Sequence, residues 1–247
     1  MRFTVQHAAH MASSVYEAEI KSNVHTCGPP PIRGYAPQRW VHEEGSGFTG
    51  AIYTAPGRSH IVLAFAGTNF RSGKDWYADA QIAANDVPID QMERANRLYM
   101  AAKDGSGARE IIAVGHSLGG ALAQFIASSY DLRAVTFNAP AMGAHMERWS
   151  SFVGMPGVNE GKLEDRIVNF RAMLDPVSVG LQILDVLRRT KNQLIGMPVI
   201  DNTWARHLGR VVHLGLGAGV HTIGPMLDYI DRQSWATSEP WSVKPKR

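Results

Sequence analysis

A serine between two glycines is the strongest candidate for chemistry in this chain. Residues 110–130 read EIIAVGHSLGGALAQFIASSY, in which Gly115, Ser117 and Gly119 form the pattern G-x-S-x-G. In the turn typical of this pattern the serine has strained backbone geometry, and glycines flank it because a Cβ there would collide with the adjacent strand or helix. The spacing therefore predicts that Ser117 is a nucleophile, exposed at the end of a strand.

The residues on either side of the pattern indicate a strand followed by a helix. Residues 111–114 are a short apolar run typical of a buried strand, and apolar side chains then recur at helical spacing at Leu118, Ala121, Leu122, Phe125 and Ile126. The helix N-terminus favours negative charge that develops beside it. The amide of Leu118 is therefore predicted to be one donor of an oxyanion hole.

A serine hydroxyl needs a histidine base, and the histidine needs a carboxylate that fixes its tautomer and stabilises its charged form. On sheets with this turn the residues follow in the order Ser, Asp, His. Asp175 comes after the predicted strand 166–170 and directly before Pro176. It is the predicted carboxylate, and the alternative is an aspartate that caps a loop.

Three histidines follow Asp175 and compete for the role of base. His221 is favoured, because it lies in a glycine-rich loop after the apolar run 211–216 and before a C-terminal helical pattern. A base on such a loop can reach over the edge of the sheet. His213 falls inside the last strand, and His207 is a candidate for lining the pocket, so both stay open as alternatives.

The second oxyanion donor is predicted at the end of an earlier strand. Residues 60–65 read HIVLAF and lead into Ala66, Gly67 and Thr68. Thr68 can donate through its amide or its hydroxyl, and with Leu118 it would complete the oxyanion hole. The alternative is a simple turn that ends the strand.

The rest of the chain predicts one α/β domain over residues 1–247 with a mostly parallel sheet and helices on both faces. Its N-terminal helix is predicted to end near Glu19, and Asp90 with Glu93 resembles a capping box. Further predicted elements are strands at 40–42, 48–54, 60–65, 133–137, 166–170 and 211–216, a loop at 27–39 and a helix at 142–152.

Composition excludes several classes of function. The formal net charge of +3 comes from scattered Lys and Arg residues, which argues against a nucleic-acid surface. The single cysteine, Cys27, excludes an intramolecular disulfide. No ligand set has metal-binding spacing and no nucleotide-binding glycine pattern is present, so no metal or other cofactor is predicted. Neither a signal peptide nor a membrane-spanning segment is recognisable, which predicts a cytoplasmic protein or export without a cleaved leader.

Five motifs in series resemble the class 3 lipase family, related to fungal triacylglycerol lipases. They are IVLAFAGTN, the pair Asp75 and Trp76, VGHSLGGALA, AVTFNAPAMG and RIVNFRAMLDPVS, followed by HLG and a late histidine. The resemblance covers about residues 48–230. It implies an α/β-hydrolase fold and hydrolysis of carboxylic esters of lipids, with Ser117, Asp175 and His221 as the triad and the donors named above.

Several questions stay open at the level of sequence. A triacylglycerol lipase and a phospholipase are both compatible with the pattern, and a bacterial lipase effector delivered into a neighbouring cell is one form of the latter. An inert lipase-like binding module is the alternative from another class. Residues 181–191, LQILDVLRRTK, are either an amphipathic helix over the pocket that meets a lipid surface or an ordinary core helix. No pattern indicates an oligomeric state.

Overall fold

One seven-stranded sheet organises the chain in its computed structural model, which describes residues 1–22, 29–67, 87–107, 110–142, 160–173, 175, 207–219 and 221–244. The strands of these described parts are β1 Ala36–Glu43, β2 Phe48–Thr54, β3 Ile61–Phe65, β4 Ile111–His116, β5 Arg133–Phe137, β6 Ile167–Ala172 and β7 Arg210–Leu214. Their helices are α1 Val5–Ser22, α2 Ile89–Ser106, α3 Leu118–Tyr130, α4 Glu160–Leu163 and α5 Ile223–Asp231. Short 3-10 turns lie at Pro56–Arg58, Leu216–Ala218, Ser234–Thr237 and Pro240–Ser242.

The sheet is parallel over most of its width. Its strands lie side by side in the order in which they occur in the chain. β1, β2 and β3 pair antiparallel, whereas β3 through β7 pair parallel. This arrangement confirms the predicted fold class, an α/β fold with a mostly parallel sheet and helices on both faces.

The two faces of the sheet are covered in different ways. Crossovers between parallel strands are right-handed, so strands that follow one another in sequential order send their connecting helices to the same face. The helices α2 and α3 accordingly share one hydrophobic cluster. The opposite face is covered by α1 and α5, from the two ends of the described chain. The N- and C-terminal parts therefore meet on one side of the sheet.

Side chains of β3 show how each strand contributes to both cores. Val62 and Ala64 belong to the cluster of α1 and α5, whereas Leu63 and Phe65 belong to the cluster of α2 and α3. All of them are buried. Because a buried Val, Leu or Phe side chain contributes about 1.5–3 kcal/mol, a charged residue at any of these positions would destabilise the sheet strongly.

The predicted N-terminal helix is present and longer than expected. Ala8, Met11, Ala12 and Val15 are buried along one side of α1, as their helical spacing predicts. The helix continues to Ser22 instead of ending near Glu19. Its buried stripe fixes α1 across the sheet and brings its last described side chains toward the carboxyl ends of the strands.

Two local predictions are wrong. The predicted loop 27–39 gives way to β1 at Ala36, because an edge strand tolerates Pro37, with the register shifting between Pro37 and Arg39. Asp90 does not begin a capping box, since Pro88 is the N-cap of α2. Asp90 instead accepts a hydrogen bond from the amide of Gln91 (2.9 Å), within the first turn where an acidic side chain is favourable.

Most other predicted strands are found within a residue or two of their expected bounds, and the C-terminal helical pattern is α5. The predicted helix at 142–152 lies, apart from Met142, outside the described residues. Residues 181–191 also lie outside them. The assignment of residues 1–247 to a single domain stays a prediction.

His7 provides a test of the packing at the start of α1. Its Nδ1 accepts a hydrogen bond from the amide of Thr4 (3.2 Å), and its ring lies 5.1 Å from that of Tyr35 between centroids. Burial, with Arg33, His60 and His10 nearby, lowers the pKa of His7 from 6.5 to about 4.

The unfolded chain therefore binds a proton at His7 below about pH 6.5 that the folded chain does not bind until about pH 4. Stability present above pH 6.5 should be lost as the pH falls through this window, at no more than about 1.4 kcal/mol per pH unit for one group. The variant His7→Gln should show a shallower decline of the free energy of unfolding between pH 6.5 and 4. At pH 8 His7 is neutral in the folded and the unfolded chain, so the difference in free energy of unfolding there measures only the contacts that the substitution removes. If the decline between pH 6.5 and 4 is as steep in the variant as in the wild type, the assignment to His7 is contradicted.

Candidate active site

The strand-to-helix turn at Ser117 has the strained geometry that the G-x-S-x-G pattern predicts. β4 ends at His116, α3 begins at Leu118, and Ser117 between them has φ 56° and ψ −130°. A non-glycine residue in such a conformation costs about 1–3 kcal/mol, so neighbouring contacts must hold it. One of them is the hydrogen bond from the Ser117 amide to the carbonyl of Phe137 in β5 (3.0 Å).

The two glycines of the pattern are required by close packing. A Cβ added to Gly115 would lie 2.2 Å from the carbonyl oxygen of Gly119, and one added to Gly119 would lie 2.1 Å from the carbonyl oxygen of Phe65. No side chain fits at such separations. The absence of both Cβ atoms lets α3 approach β3 and β4 closely and fixes the direction of the turn.

Ser117, His221 and Asp175 form a continuous line of hydrogen bonds. The Oγ of Ser117 lies 2.9 Å from Nε2 of His221, and Nδ1 of His221 lies 2.6 Å from Oδ1 of Asp175. Because a carboxylate only accepts, Nδ1 carries the proton and Nε2 is left to accept from the serine hydroxyl. The arrangement can take a proton from Ser117 and stabilise the resulting imidazolium.

All three side chains are buried, with exposed fractions of 4% for Ser117, 4% for His221 and 0% for Asp175. The expectation that Ser117 is exposed is therefore wrong, because its side chain packs beside His221 and against Gly67, where an added Cβ would lie 3.0 Å from its own. Exclusion of water strengthens the hydrogen bonds between the three groups.

Separate elements position the two partners of the serine. Asp175 follows β6 after a short turn, and its amide donates to the carbonyl of Ala172 (3.1 Å). His221 immediately precedes Thr222, the N-cap of α5. Of the histidines left open by sequence, His221 is the one that lies beside Ser117. His213 lies within β7, and His207 is buried before that strand begins.

Of the two predicted oxyanion donors, Leu118 lies within the described residues and Thr68 does not. The amide of Leu118 belongs to the first turn of α3, where helical amides have no partner inside the helix, whereas those of Gly120 and Ala121 donate to the carbonyl of Ser117 (2.9 and 3.2 Å). Thr68 lies outside the described residues. Its neighbour Gly67 is described and packs against Ser117.

His116 is a site residue that sequence reasoning missed. Its Nε2 donates to the backbone carbonyl of His221 (2.5 Å), and its Nδ1 lies 3.0 Å from the hydroxyl of Tyr16. Burial, reinforced by the nearby His221, lowers the pKa of His116 from 6.5 to about 3. The position directly before Ser117 is the only signal of it in the sequence, because both partners come from distant segments.

Asn138 is a second residue that sequence reasoning missed. It follows β5, has a positive φ of 45°, and donates through Nδ2 to the same carbonyl of His221 (3.3 Å). Its Oδ1 accepts the amide of Ala172 (2.8 Å), at the end of the strand that leads to Asp175. A left-handed conformation is tolerated by asparagine better than by most residues.

Comparison with known sequences identifies the family. Residues 7–203 match a phospholipase-like family described as the Tle-like phospholipase domain, over most of the chain. The chain belongs to the Tle-like phospholipase family. This membership agrees with the enzyme class predicted from sequence, that of hydrolases of carboxylic esters of lipids. The matched residues include Ser117 and Asp175 and end before His221.

Individual relatives of the chain include the extracellular phospholipase A1 of Serratia liquefaciens, which is 42% identical over 101 residues. That match covers 40% of this chain and 29% of the Serratia protein, so the chain matches less than a third of its relative's length. Similar solved structures include two of the LIP2 lipase of Yarrowia lipolytica. They have TM-scores of 0.48 and 0.49 at 16% and 15% identity, covering 70% and 85% of this chain and 71% and 77% of theirs.

The described residues contain neither a metal-binding cluster nor a membrane-spanning helix. Within those residues no group of His, Cys, Asp and Glu side chains is arranged to hold a metal ion. None of the helices there combines the length and apolar character needed to cross a bilayer.

Gly119 allows a test of the turn. The variant Gly119→Ala should lower the free energy of unfolding by about 3 kcal/mol or more, because the added methyl group meets backbone that cannot move without shifting β3. Chemical denaturation measures the loss. The matched control is Gly224→Ala in α5, where an added Cβ meets nothing within 4 Å. Equal effects of the two substitutions would contradict the close-packing argument.

Proposed function

We propose that this protein hydrolyses a carboxylic ester of a phospholipid through an acyl-enzyme intermediate, with Ser117 as nucleophile, His221 as general base and acid, and Asp175 as the carboxylate that orients it. The observation that carries the proposal is the unbroken hydrogen-bond path from the Ser117 hydroxyl through the His221 ring to Asp175. Family membership supplies the lipid-ester class.

The first half-reaction forms the acyl-enzyme. Oγ of Ser117 attacks the ester carbonyl carbon while its proton passes to Nε2 of His221, and Asp175 stabilises the imidazolium. The tetrahedral intermediate then collapses, the bond to the leaving alcohol breaks, and the alcohol takes the proton from His221. In the second half-reaction water attacks the acyl carbon, His221 accepts its proton, and Ser117 leaves with that proton as the free fatty acid is released.

The developing oxyanion requires two donors in this proposal. The amide of Leu118 at the N-terminus of α3 is one, and it acts together with the favourable field of the helix. Thr68 is the other. The close approach to Ser117 of Gly67, its neighbour in the chain, supports this role.

Phospholipid is proposed as the substrate in preference to triacylglycerol. The family is described as phospholipase-like, and the Serratia relative is a phospholipase A1. A phospholipid substrate entails contact with a membrane or micelle surface during turnover. Export without a cleaved leader, toward the membrane of another cell, stays a prediction from sequence.

A lipase-like module that binds without turnover is the competing interpretation. Burial of the Asp175 carboxylate is costly unless it is hydrogen-bonded, as it is to His221. A module that only binds has no need of a buried Ser, His and Asp joined by hydrogen bonds in one line. The buried path therefore supports turnover, and direct reaction of Ser117 with a probe distinguishes the two.

A fluorophosphonate probe should label the purified protein on Ser117, since only an activated serine attacks phosphorus at a useful rate. Ser117→Ala should abolish labelling, and Asp175→Asn should slow hydrolysis of a short p-nitrophenyl ester by about 10³- to 10⁴-fold because the imidazole loses its orienting carboxylate. Mass spectrometry of the labelled peptide locates the adduct. The matched control is Ser128→Ala, which changes a partly buried serine in the last turn of α3. Wild-type protein that stays unlabelled would overturn the proposal.

Substrate class is tested with vesicles of phosphatidylcholine or phosphatidylglycerol and with emulsified triolein. Release of fatty acid from the phospholipids should exceed that from triolein at equal ester concentration, and it should disappear in Ser117→Ala. Mass spectrometry of the lysophospholipid product identifies the position cleaved. Faster hydrolysis of triolein would show a triacylglycerol lipase and contradict the phospholipid assignment while leaving the triad intact.

A further inference from the structure

The backbone carbonyl of His221 is bonded by side chains from the ends of two strands, β4 and β5. His221 lies one residue before the N-cap of α5, so helix α5 offers its carbonyl no amide donor. The carbonyl instead accepts hydrogen bonds from Nε2 of His116 (2.5 Å) and from Nδ2 of Asn138 (3.3 Å). One donor comes from the residue before Ser117, and the other from the residue after β5. The position of the His221 backbone is thereby tied to the turn that carries the nucleophile.

The tautomer of His116 is determined by its two partners. A carbonyl oxygen only accepts, so Nε2 of His116 must carry the proton, and Nδ1 must then accept. The hydroxyl of Tyr16 in α1 lies 3.0 Å from Nδ1 and 3.2 Å from the carbonyl oxygen of His116, so its one proton is shared between these two acceptors, and it accepts the amide of Gly67 (2.7 Å). Tyr16 therefore connects Gly67, beside the predicted oxyanion donor Thr68, with His116 beside Ser117.

We propose that His116, held in one tautomer by Tyr16, is a positioning residue for the base His221, acting on its backbone carbonyl and not on the substrate. The proposal rests on the proposed function, because positioning matters only if His221 takes the proton from Ser117. His116 is a neutral, buried group in this role. A loosened His221 backbone would lengthen the contact between Nε2 and the Ser117 hydroxyl, and displacement by about 1 Å is enough to cost about 10²-fold in rate.

The test uses substitutions that differ in the atoms they keep. His116→Gln retains a donor near the position of Nε2, whereas His116→Met fills similar volume with no donor. Tyr16→Phe removes the hydroxyl that contacts Nδ1 of His116 and that also accepts the amide of Gly67. A fluorophosphonate titration gives two quantities for each protein: the fraction of molecules that react and the rate constant with which they react.

The expected result is a wild-type fraction of reactive molecules in every variant, with a rate constant lowered about 10- to 100-fold in His116→Met and about 10-fold in Tyr16→Phe. His116→Gln should recover most of the rate. Hydrolysis of a short p-nitrophenyl ester should show the same losses in kcat with KM nearly unchanged.

The chain contains a control for this comparison, a second tyrosine–histidine pair that lies far from the triad. The hydroxyl of Tyr35 lies 2.6 Å from Nε2 of His60, which precedes β3 at the end of the sheet opposite Ser117. His60→Met and Tyr35→Phe should lower the thermal midpoint without changing the rate constant of the molecules that react. A purely structural role for His116 predicts the same behaviour for His116→Met, and that result would overturn the proposal.

The outcomes separate this inference from the proposed function. Wild-type protein that does not react at Ser117 removes both. Wild-type protein that reacts, together with His116→Met and Tyr16→Phe reacting at the wild-type rate, removes only the positioning role. If His116→Met does not fold, the comparison of Tyr16→Phe with Tyr35→Phe decides, because each loses a single hydroxyl that contacts a histidine ring.

Discussion

The hydrogen bond between Ser117 and His221 is the constraint on which the other features of this structure depend. It joins residues 104 positions apart in the chain, and it needs Nε2 of one and Oγ of the other at 2.9 Å. Neither side chain can reach the other by its own flexibility, because both are buried. The sheet therefore has to fix both backbones, one through the strained turn after β4 and the other through the segment before α5.

The sequential order of the strands explains why His221, the proposed base, approaches Ser117 from the face of the sheet that α1 and α5 cover. Right-handed crossovers send α2 and α3 to one face, which leaves the opposite face to be covered by the N- and C-terminal segments. His221 leads into α5, and Tyr16 belongs to α1 on that same face. The contact of Tyr16 with His116 is consistent with the alternation of β4, because Ile112 and Val114 also point into the cluster of α1 and α5.

Sequence predicts the parts of the site that depend on local structure. The glycines around Ser117 and the change from a strand pattern to a helical pattern predict the turn, because a Cβ at Gly119 has no room in any fold that makes it. The choice of His221 over His207 and His213 could only be ranked, since it depends on where a loop of the folded chain lies. The bonds of His116 and Asn138 were beyond prediction, because their acceptor is a backbone carbonyl and a carbonyl has no sequence signature.

The low pKa of His116 makes its proposed positioning role compatible with proton transfer from Ser117, the next residue in the chain. An imidazole with an ordinary pKa near 6.5 would gain a proton in the range where histidine bases work, and a charged ring at this position would lose its acceptor at Nδ1. Burial lowers the pKa of His116 to about 3, so the ring keeps one donor and one acceptor at neutral pH. The bonds that hold the His221 carbonyl therefore do not change while, in the proposed reaction, the His221 ring exchanges its proton with Ser117. A neutral polar pair, Tyr16 and His116, can support a base in this way, whereas a second carboxylate or cation would perturb it through its charge.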